Sequence, residues 1–133
     1  MARILLLLLG AACLLAAFGG TAAAKAKPVT FAGCTSASVK PRDVLLACGD
    51  GNAAFLVTHW VRWTRVSARA VGTAEINDCT PTCVAGHVDP YLAALVLDRP
   101  RACHGGLRFS RLRLVFAEAP RGGQPKPMTF ACR

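Results

Sequence analysis

The residues best suited to metal chemistry lie in one short stretch, Cys79-x3-Cys83-x3-His87-x-Asp89. Thiolates, an imidazole nitrogen and a carboxylate are groups that bind zinc in proteins. A zinc site would need both cysteines as reduced thiols. In an oxidising compartment the same pair, with Pro81 between them, can close a small disulfide loop instead. The compartment in which the chain folds therefore decides between the two interpretations.

The start of the chain predicts export. Arg3 precedes an apolar run from Ile4 to Phe18, and Ala22 to Ala24 offer a small-residue cleavage site. The run is shorter than the roughly 20 apolar residues that cross a membrane as a helix. We therefore expect residues 1–24 to be a signal peptide, with no transmembrane segment after cleavage. Cleavage after Ala26 remains an alternative.

The remaining residues, 25–133, predict a single secreted domain, either extracellular or associated with the cell wall. With 53% hydrophobic and 17% charged residues, the 133-residue chain is too apolar to be disordered. Without its leader it is also too short for two ordinary domains. Removing Arg3 leaves 15 Lys and Arg against 7 Asp and Glu, a formal charge of +8.

Six cysteines remain once Cys13 is removed with the leader, and an even number in a small exported chain is typical of a disulfide framework. They are Cys34, Cys48, Cys79, Cys83, Cys103 and Cys132. Six cysteines allow 15 pairings. Sequence proximity alone favours Cys34–Cys48, Cys79–Cys83 and Cys103–Cys132. A bridge between Cys79 and Cys83 is then preferred to zinc.

The pattern of hydrophobic residues indicates strands throughout the mature chain. Residues Val66, Ala68, Ala70, Ala74 and Ile76 share one face, and polar residues alternate with them. Leu112, Leu114 and Phe116 alternate with arginines in the same way. The run from Tyr91 to Leu97 suits a strand or a short helix, and we prefer the strand. We expect an all-β fold, a small disulfide-stapled antiparallel sandwich or barrel of about five or six strands.

Trp60 and Trp63 stand three residues apart in a region that favours a strand. A regular strand would place them on opposite faces, so either one indole is exposed or a bulge intervenes. An exposed aromatic pair could stack on a sugar, whereas a Trp more often fills a core or covers its edge.

Four motifs follow one another between residues 40 and 118. They are Cys48-Gly-Asp-Gly-Asn52, Trp60 with Trp63, Asn77-Asp-Cys-Thr-Pro-Thr-Cys83, and the strand from Tyr91 to Leu97. In this order they resemble the C-A-D-G-N turn, W-x-x-W pair and N-x-C-x-P-x-C loop of small secreted actinobacterial proteins. Gly49 replaces the usual Ala, and Pro90 precedes Tyr91 where the family tends to read Tyr-Pro. The resemblance implies export and β structure, and no particular activity.

Catalytic templates are absent from the sequence. It contains no G-x-S-x-G elbow, H-E-x-x-H helix or phosphate-cradling glycine loop. His59, His87 and His104 could serve a metal-free nuclease, but their spacing does not bring them together. Calcium takes six to eight oxygens, and Asp43, Asp50 and Asn52 offer too few. We predict no catalytic residue, metal or cofactor.

Arginine is the more informative residue type. Arg62, Arg65 and Arg69 lie in one predicted strand region, and Arg108, Arg111 and Arg113 lie in another. If the two regions adjoin, the six form a patch that can grip phosphate or carboxylate groups. The alternative is an outward face kept soluble by its charge.

The sequence thus favours a non-catalytic binding or structural module at the cell envelope. Its expected partner is an anionic wall polymer or an acidic protein, with nucleic acid a less favoured partner. The alternatives are a protease inhibitor, presenting the loop from Asn77 to Tyr91, and a small basic nuclease.

Overall fold

In the part of the chain that the structure describes, six β-strands form one antiparallel sheet, and every strand pairs with its neighbours in the chain. The computed structural model describes residues 25–121, 123 and 125–132, so the predicted leader lies outside the described residues. The strands are β1 (Asp43–Leu45), β2 (Ala53–Trp63), β3 (Ala68–Asn77), β4 (Val88–Cys103), β5 (Gly106–Phe116) and β6 (Met128–Thr129).

The all-β prediction is confirmed, because the described residues contain no α-helix and the run from Tyr91 to Leu97 lies inside β4. The sheet curls into a half-barrel, so of the two predicted architectures the barrel-like one applies. None of the described residues forms a helix long and apolar enough to span a membrane.

The hydrophobic core fills the concave face of the sheet. Ala68, Ala70 and Ala74 of β3 point inward as predicted, and Leu95 and Leu97 of β4 lie beside them, fully buried. Small alanines on the central strand leave room for these larger side chains, so the curled sheet closes on a packed interior.

Val66 departs from the predicted inward face, since its side chain is 69% exposed. The physical reason is that β3 begins at Ala68, so Val66 belongs to the turn after β2. The hydroxyl of Thr64 orders this turn by accepting hydrogen bonds from the backbone N–H of Val66 and of Ser67. The strand's alternation therefore starts two residues later than the pattern suggested.

The N-terminal segment, the described residues 25–42 before β1, packs on the side of the core that the sheet leaves open. The backbone of Thr30 pairs with β5, donating to Leu107 and accepting from Phe109. The neighbouring side chains, Val29 and Phe31, are buried. This segment therefore contributes Val29 and Phe31 to the core beside β5.

Three disulfides join cysteines of the described residues that lie in loops and, for Cys103, at the end of β4. The bonded pairs are Cys34–Cys48, Cys79–Cys83 and Cys103–Cys132. These are the pairs that sequence proximity predicts. They indicate that the domain folds in an oxidising compartment.

A bulge intervenes between the two tryptophans. The register of β2 against β3 shifts between Val57 and His59 and again between Trp60 and Arg62, leaving one extra residue each time. Both indoles therefore pack against the core, with ring centroids 4.6 Å apart. Trp60 donates its N–H to the carbonyl of Pro41, and Trp63 donates to that of Val29. The pair joins the core to the N-terminal segment and offers no exposed sugar platform.

Candidate anion-binding face

Four of the predicted arginines share the outer, convex side of the sheet. On β3, Arg69 alternates with the buried Ala68 and Ala70. On β5, the two arginines alternate with buried leucines, and on β2 the bulge turns an arginine outward beside Trp63. We call this set, Arg62, Arg69, Arg111 and Arg113, the arginine face.

The strand register brings the members of the arginine face together. Arg62 lies directly opposite Arg69 across β2 and β3. Val96 of β4 lies between Arg69 on one side and Arg113 on the other. Neighbouring strands are about 4.8 Å apart, so the backbones at Arg69 and Arg113 are separated by roughly 10 Å.

One carboxylate, that of Asp98, counters this charge. Arg111 donates from Nε to Oδ1 of Asp98 at 2.6 Å and from Nη2 to Oδ2 at 2.7 Å. Arg113 donates from Nη2 to Oδ2 at 3.2 Å. The Asp98 side chain is only 15% exposed, which reduces screening of these contacts by water. Hydrogen bonds and charge from Arg111, and the nearby Arg113, lower the pKa of Asp98.

The other two arginines lack an acidic partner among the described residues. Arg62 donates to the hydroxyl of Ser67 at 3.3 Å. The side chain of Arg69 forms no hydrogen bond or ion pair within the described part of the chain. The arginine face thus has four guanidinium groups for one carboxylate, with the uncompensated charge concentrated at Arg62 and Arg69.

Two predicted members of the patch lie elsewhere. Arg65 belongs to the turn after β2 and donates to the backbone carbonyl of Lys27 at 2.9 Å. Arg108 lies on β5 beside Thr30 of the N-terminal segment, near the turn that joins β4 to β5. The structure therefore brings four of the six predicted arginines onto one face.

Sequence reasoning missed Asp98, and it also missed Arg101, which lies directly opposite Arg108. The dipeptide His104-Gly105, which forms the turn of the β4–β5 hairpin, could have indicated both residues as partners of β5. His104 and Gly105 have φ of 44° and 76°, as a two-residue hairpin turn requires. Such a turn pairs Cys103 with Gly106 and fixes every partner farther along the hairpin.

The other candidate sites take structural roles. Because Cys79 and Cys83 are bonded to each other, they supply no thiolates for zinc. Asp50 accepts a hydrogen bond from the N–H of Asn52, as expected for a turn. The described residues contain no group of three or more His, Cys, Asp or Glu that could hold a metal.

The three histidines do not form a catalytic group. His59 lies within β2, at the side of the sheet away from β5. His87 precedes β4 and His104 follows it, so the full length of that 16-residue strand separates them. A nuclease that needs two imidazoles at one phosphate has no support in this arrangement.

The loop between β3 and β4 is held rigidly by its own side chains. Asp78 Oδ1 accepts hydrogen bonds from the N–H of Thr80 and of His87, and these bonds lower the pKa of Asp78. Asn77 donates to the carbonyl of Cys83 at 2.7 Å. The side chain of Val84, next to this anchored segment, is fully exposed.

Comparison with known proteins gives no match. No family model matches the chain, and no curated protein or solved structure is significantly similar to it. The resemblance to small secreted actinobacterial proteins therefore stays a prediction, and function has to be argued from the arginine face and its surroundings.

Proposed function

We propose that the mature chain is a secreted, non-catalytic binding module of the cell envelope that holds an anionic polymer on its arginine face. The observation that carries the proposal is the direct pairing of Arg62 with Arg69 across two strands. Like charges at opposed positions destabilise a sheet. A polyanion lying across both would relieve this repulsion.

The chemistry of the face suits phosphate or carboxylate groups. Each guanidinium presents a planar fork of donors that can bind either group with two hydrogen bonds. Arg69 has no competing partner in the described chain, and Arg113 gives one bond to Asp98 and keeps its other terminal nitrogen. The face extends over four strands, β2 to β5, and this spacing suits a polymer with repeated charges better than a single small anion.

A wall polymer or an acidic protein is a better candidate than nucleic acid. Proteins that hold single strands without sequence preference stack bases on exposed aromatic rings. Trp60 and Trp63 are packed against the core instead, with both indole N–H groups donated to the backbone. The arginine face therefore offers charge without a stacking platform.

Export and an oxidising environment are consistent with this role. The three disulfides and the leader predicted for residues 1–24 support a location outside the cytoplasm. A cationic module released there would be retained by anionic polymers of the envelope.

Retention on phosphocellulose tests the proposal. We expect the wild type to elute well above about 0.2 M NaCl, with steep salt dependence. The double variant R62Q/R69Q should elute much earlier. R121Q/K126Q is the matched control, because it removes the same charge from the loop after β5. Equal losses in the two variants would show that net charge alone sets retention, and would contradict the proposal.

The loop between β3 and β4 supports a second candidate function, protease inhibition. The Cys79–Cys83 bridge and the side chains of Asn77 and Asp78 preorganise the loop, and Val84 projects from it. An inhibitor would reduce the activity of trypsin or subtilisin stoichiometrically. A polyanion-binding module would leave both enzymes unaffected.

A further inference from the structure

The outer face of the sheet continues from the arginine face into an apolar region. Val71, Ala94 and Val115 lie in one row across β3, β4 and β5, two residues along from the row that contains Arg69 and Arg113. Leu92, two residues farther along β4, is 71% exposed, and Val115 is 49% exposed. The outer face is thus cationic at one end and apolar in the middle.

The sequence of β4 is that of a strand covered on both sides. From Tyr91 to Leu97 every residue is apolar or aromatic, a pattern found where both faces of a sheet are buried. The core covers only the side with Leu95 and Leu97. No described segment covers the side with Leu92 and Val115, which remains exposed.

A groove of about 480 Å³ lies in this region, within the size range of small-molecule sites. Small residues such as Gly72 and Ala94 line its floor, and Leu92, Val115 and Thr58 border it. Arg69 also lines the groove, so one guanidinium belongs to both the apolar groove and the arginine face.

We propose that this groove binds the acyl chain of an anionic amphiphile whose acid group lies on Arg69 and its arginine neighbours. This inference rests on the proposed function and specifies the partner, which would carry a hydrocarbon chain beside its acid groups. Burial of Leu92 and Val115 would supply the apolar part of the affinity. The guanidinium groups would fix the position of the head group.

Charge favours an anionic amphiphile over a second copy of the chain as the occupant. Among the described residues, the outer face carries the four arginines against three carboxylates, those of Asp98, Glu75 and Asp43. Asp98 is already bonded within its own chain. Two such faces in contact would bring eight arginines against six carboxylates, a net positive charge, whereas an anionic amphiphile supplies the missing negative charge.

Calorimetric titration with alkyl phosphates tests the inference on the secreted protein with intact disulfides. Butyl, octyl and dodecyl phosphate are compared below their micelle concentrations, with dodecyl maltoside and dodecyltrimethylammonium as neutral and cationic probes. We expect one-to-one binding whose affinity rises with chain length for the phosphates. The neutral and cationic dodecyl probes should bind at least about tenfold more weakly.

Variants separate this inference from the proposed function. L92S/V115S should weaken dodecyl phosphate about tenfold or more and leave phosphocellulose elution unchanged. V84S, which alters a fully exposed valine in the β3–β4 loop, is the control and should change neither. R62Q/R69Q should weaken both kinds of binding.

Two results would overturn the inference. Equal affinity for butyl and dodecyl phosphate would show that the groove takes no chain, while leaving the proposed function intact. Conversion of a wild-type dimer into a monomer by L92S/V115S, measured by sedimentation, would assign the face to self-association. If R62Q/R69Q elutes from phosphocellulose at the same salt concentration as the wild type, it is the proposed function that is wrong.

Discussion

Asp98 controls how much of the arginine face is free to bind. Its carboxylate accepts two hydrogen bonds from Arg111 and one from Arg113. It therefore holds both side chains in place and compensates part of their positive charge. The Nε of Arg113 is buried without a hydrogen-bond partner, which makes the remaining contact to Asp98 more important. Asp98 therefore stabilises the fold but reduces the positive charge that is available for anion binding.

Replacing Asp98 with Asn should lower the free energy of unfolding by about 1–2 kcal/mol at pH 7, because it breaks a charge-assisted, partly exposed cluster. The pKa of Asp98 is lowered in the folded state. Its contribution is therefore fully present above the unfolded pKa of about 3.9 and is lost as the pH falls through the lower folded pKa. Urea unfolding of both proteins at pH 7 and pH 2 measures this. A difference that persists unchanged at pH 2 would contradict the assignment.

The same D98N substitution should strengthen anion binding. Loss of the carboxylate frees Arg111 and Arg113 and raises the net charge of the face by one. On phosphocellulose D98N should elute later than the wild type, although it is less stable. D43N is a matched control, since it removes one carboxylate from β1, at the far edge of the sheet from β5. If D43N shifts elution as much as D98N, the effect is one of net charge.

At the scale of the elements, the shape of β2 determines where the tryptophans and arginines point. The extra residue of β2 between Trp60 and Arg62 turns Trp60 and Trp63 to the same side and leaves Arg62 opposite Arg69. At Gly72, β3 approaches the backbone of β2 closely. A side chain at Gly72 would overlap the backbone carbonyl of Leu56.

Gly72→Ala should therefore destabilise the protein by about 1–3 kcal/mol, because either the methyl group or the β2 backbone must move. Gly49→Ala is the control: nothing lies within 4 Å of the added carbon. Its effect should stay within about 0.5 kcal/mol. Thermal or urea unfolding compares the two. Equal losses of stability in the two variants would contradict a close approach of β2 to β3 at Gly72.

The disulfides differ in the length of chain that they restrict. Cys103–Cys132 joins residues 29 apart, and Cys79–Cys83 joins residues 4 apart. Loop-closure entropy then predicts that C103S/C132S costs about 1.5 kcal/mol more than C79S/C83S. Urea unfolding at neutral pH measures both. A larger cost for C79S/C83S would show that the short bridge stabilises the native loop itself.

Strands β3 and β5 could be predicted from local sequence alone. In β5, for example, Leu112 and Leu114 alternate with arginines, as is typical of a half-buried strand. The bulges of β2 could not be predicted in this way. Which residue of a strand is left unpaired depends on the partner strand and on packing against Val29 and Pro41, far away in the chain. The register of β4 and β5 lies between these cases, since the turn at His104 determines it.

For the whole molecule, sequence indicated the number of strands, the barrel-like alternative and the disulfide pairs. It could not show that only four of the six predicted arginines share a face. That outcome depends on the register in which β2, β3, β4 and β5 pair with one another. Nor could it show that the outer side of Tyr91 to Leu97 is uncovered, because a continuous apolar run looks the same whether or not a second layer exists.

Charge is divided unevenly between the two ends of the sheet. The loops at one end carry Asp50 and Asp78, linked through hydrogen bonds between Asn52 and Asn77, with Arg121 near Asp78. The other end carries arginines, including the opposed residues Arg101 and Arg108 of the β4–β5 hairpin. Such a molecule would approach an anionic surface with its arginine-rich end leading. The arginine face then makes the contacts.

The most direct test of the account observes the arginine side chains themselves during titration with inorganic polyphosphate. Nε–Hε resonances in nitrogen–proton NMR spectra report each guanidinium separately. We expect Arg62, Arg69 and Arg113 to shift first and saturate together, while Arg65 and Arg121 change little. Shifts of equal size at all arginines, or shifts confined to Arg101 and Arg108, would contradict the claim that the arginine face is the binding site.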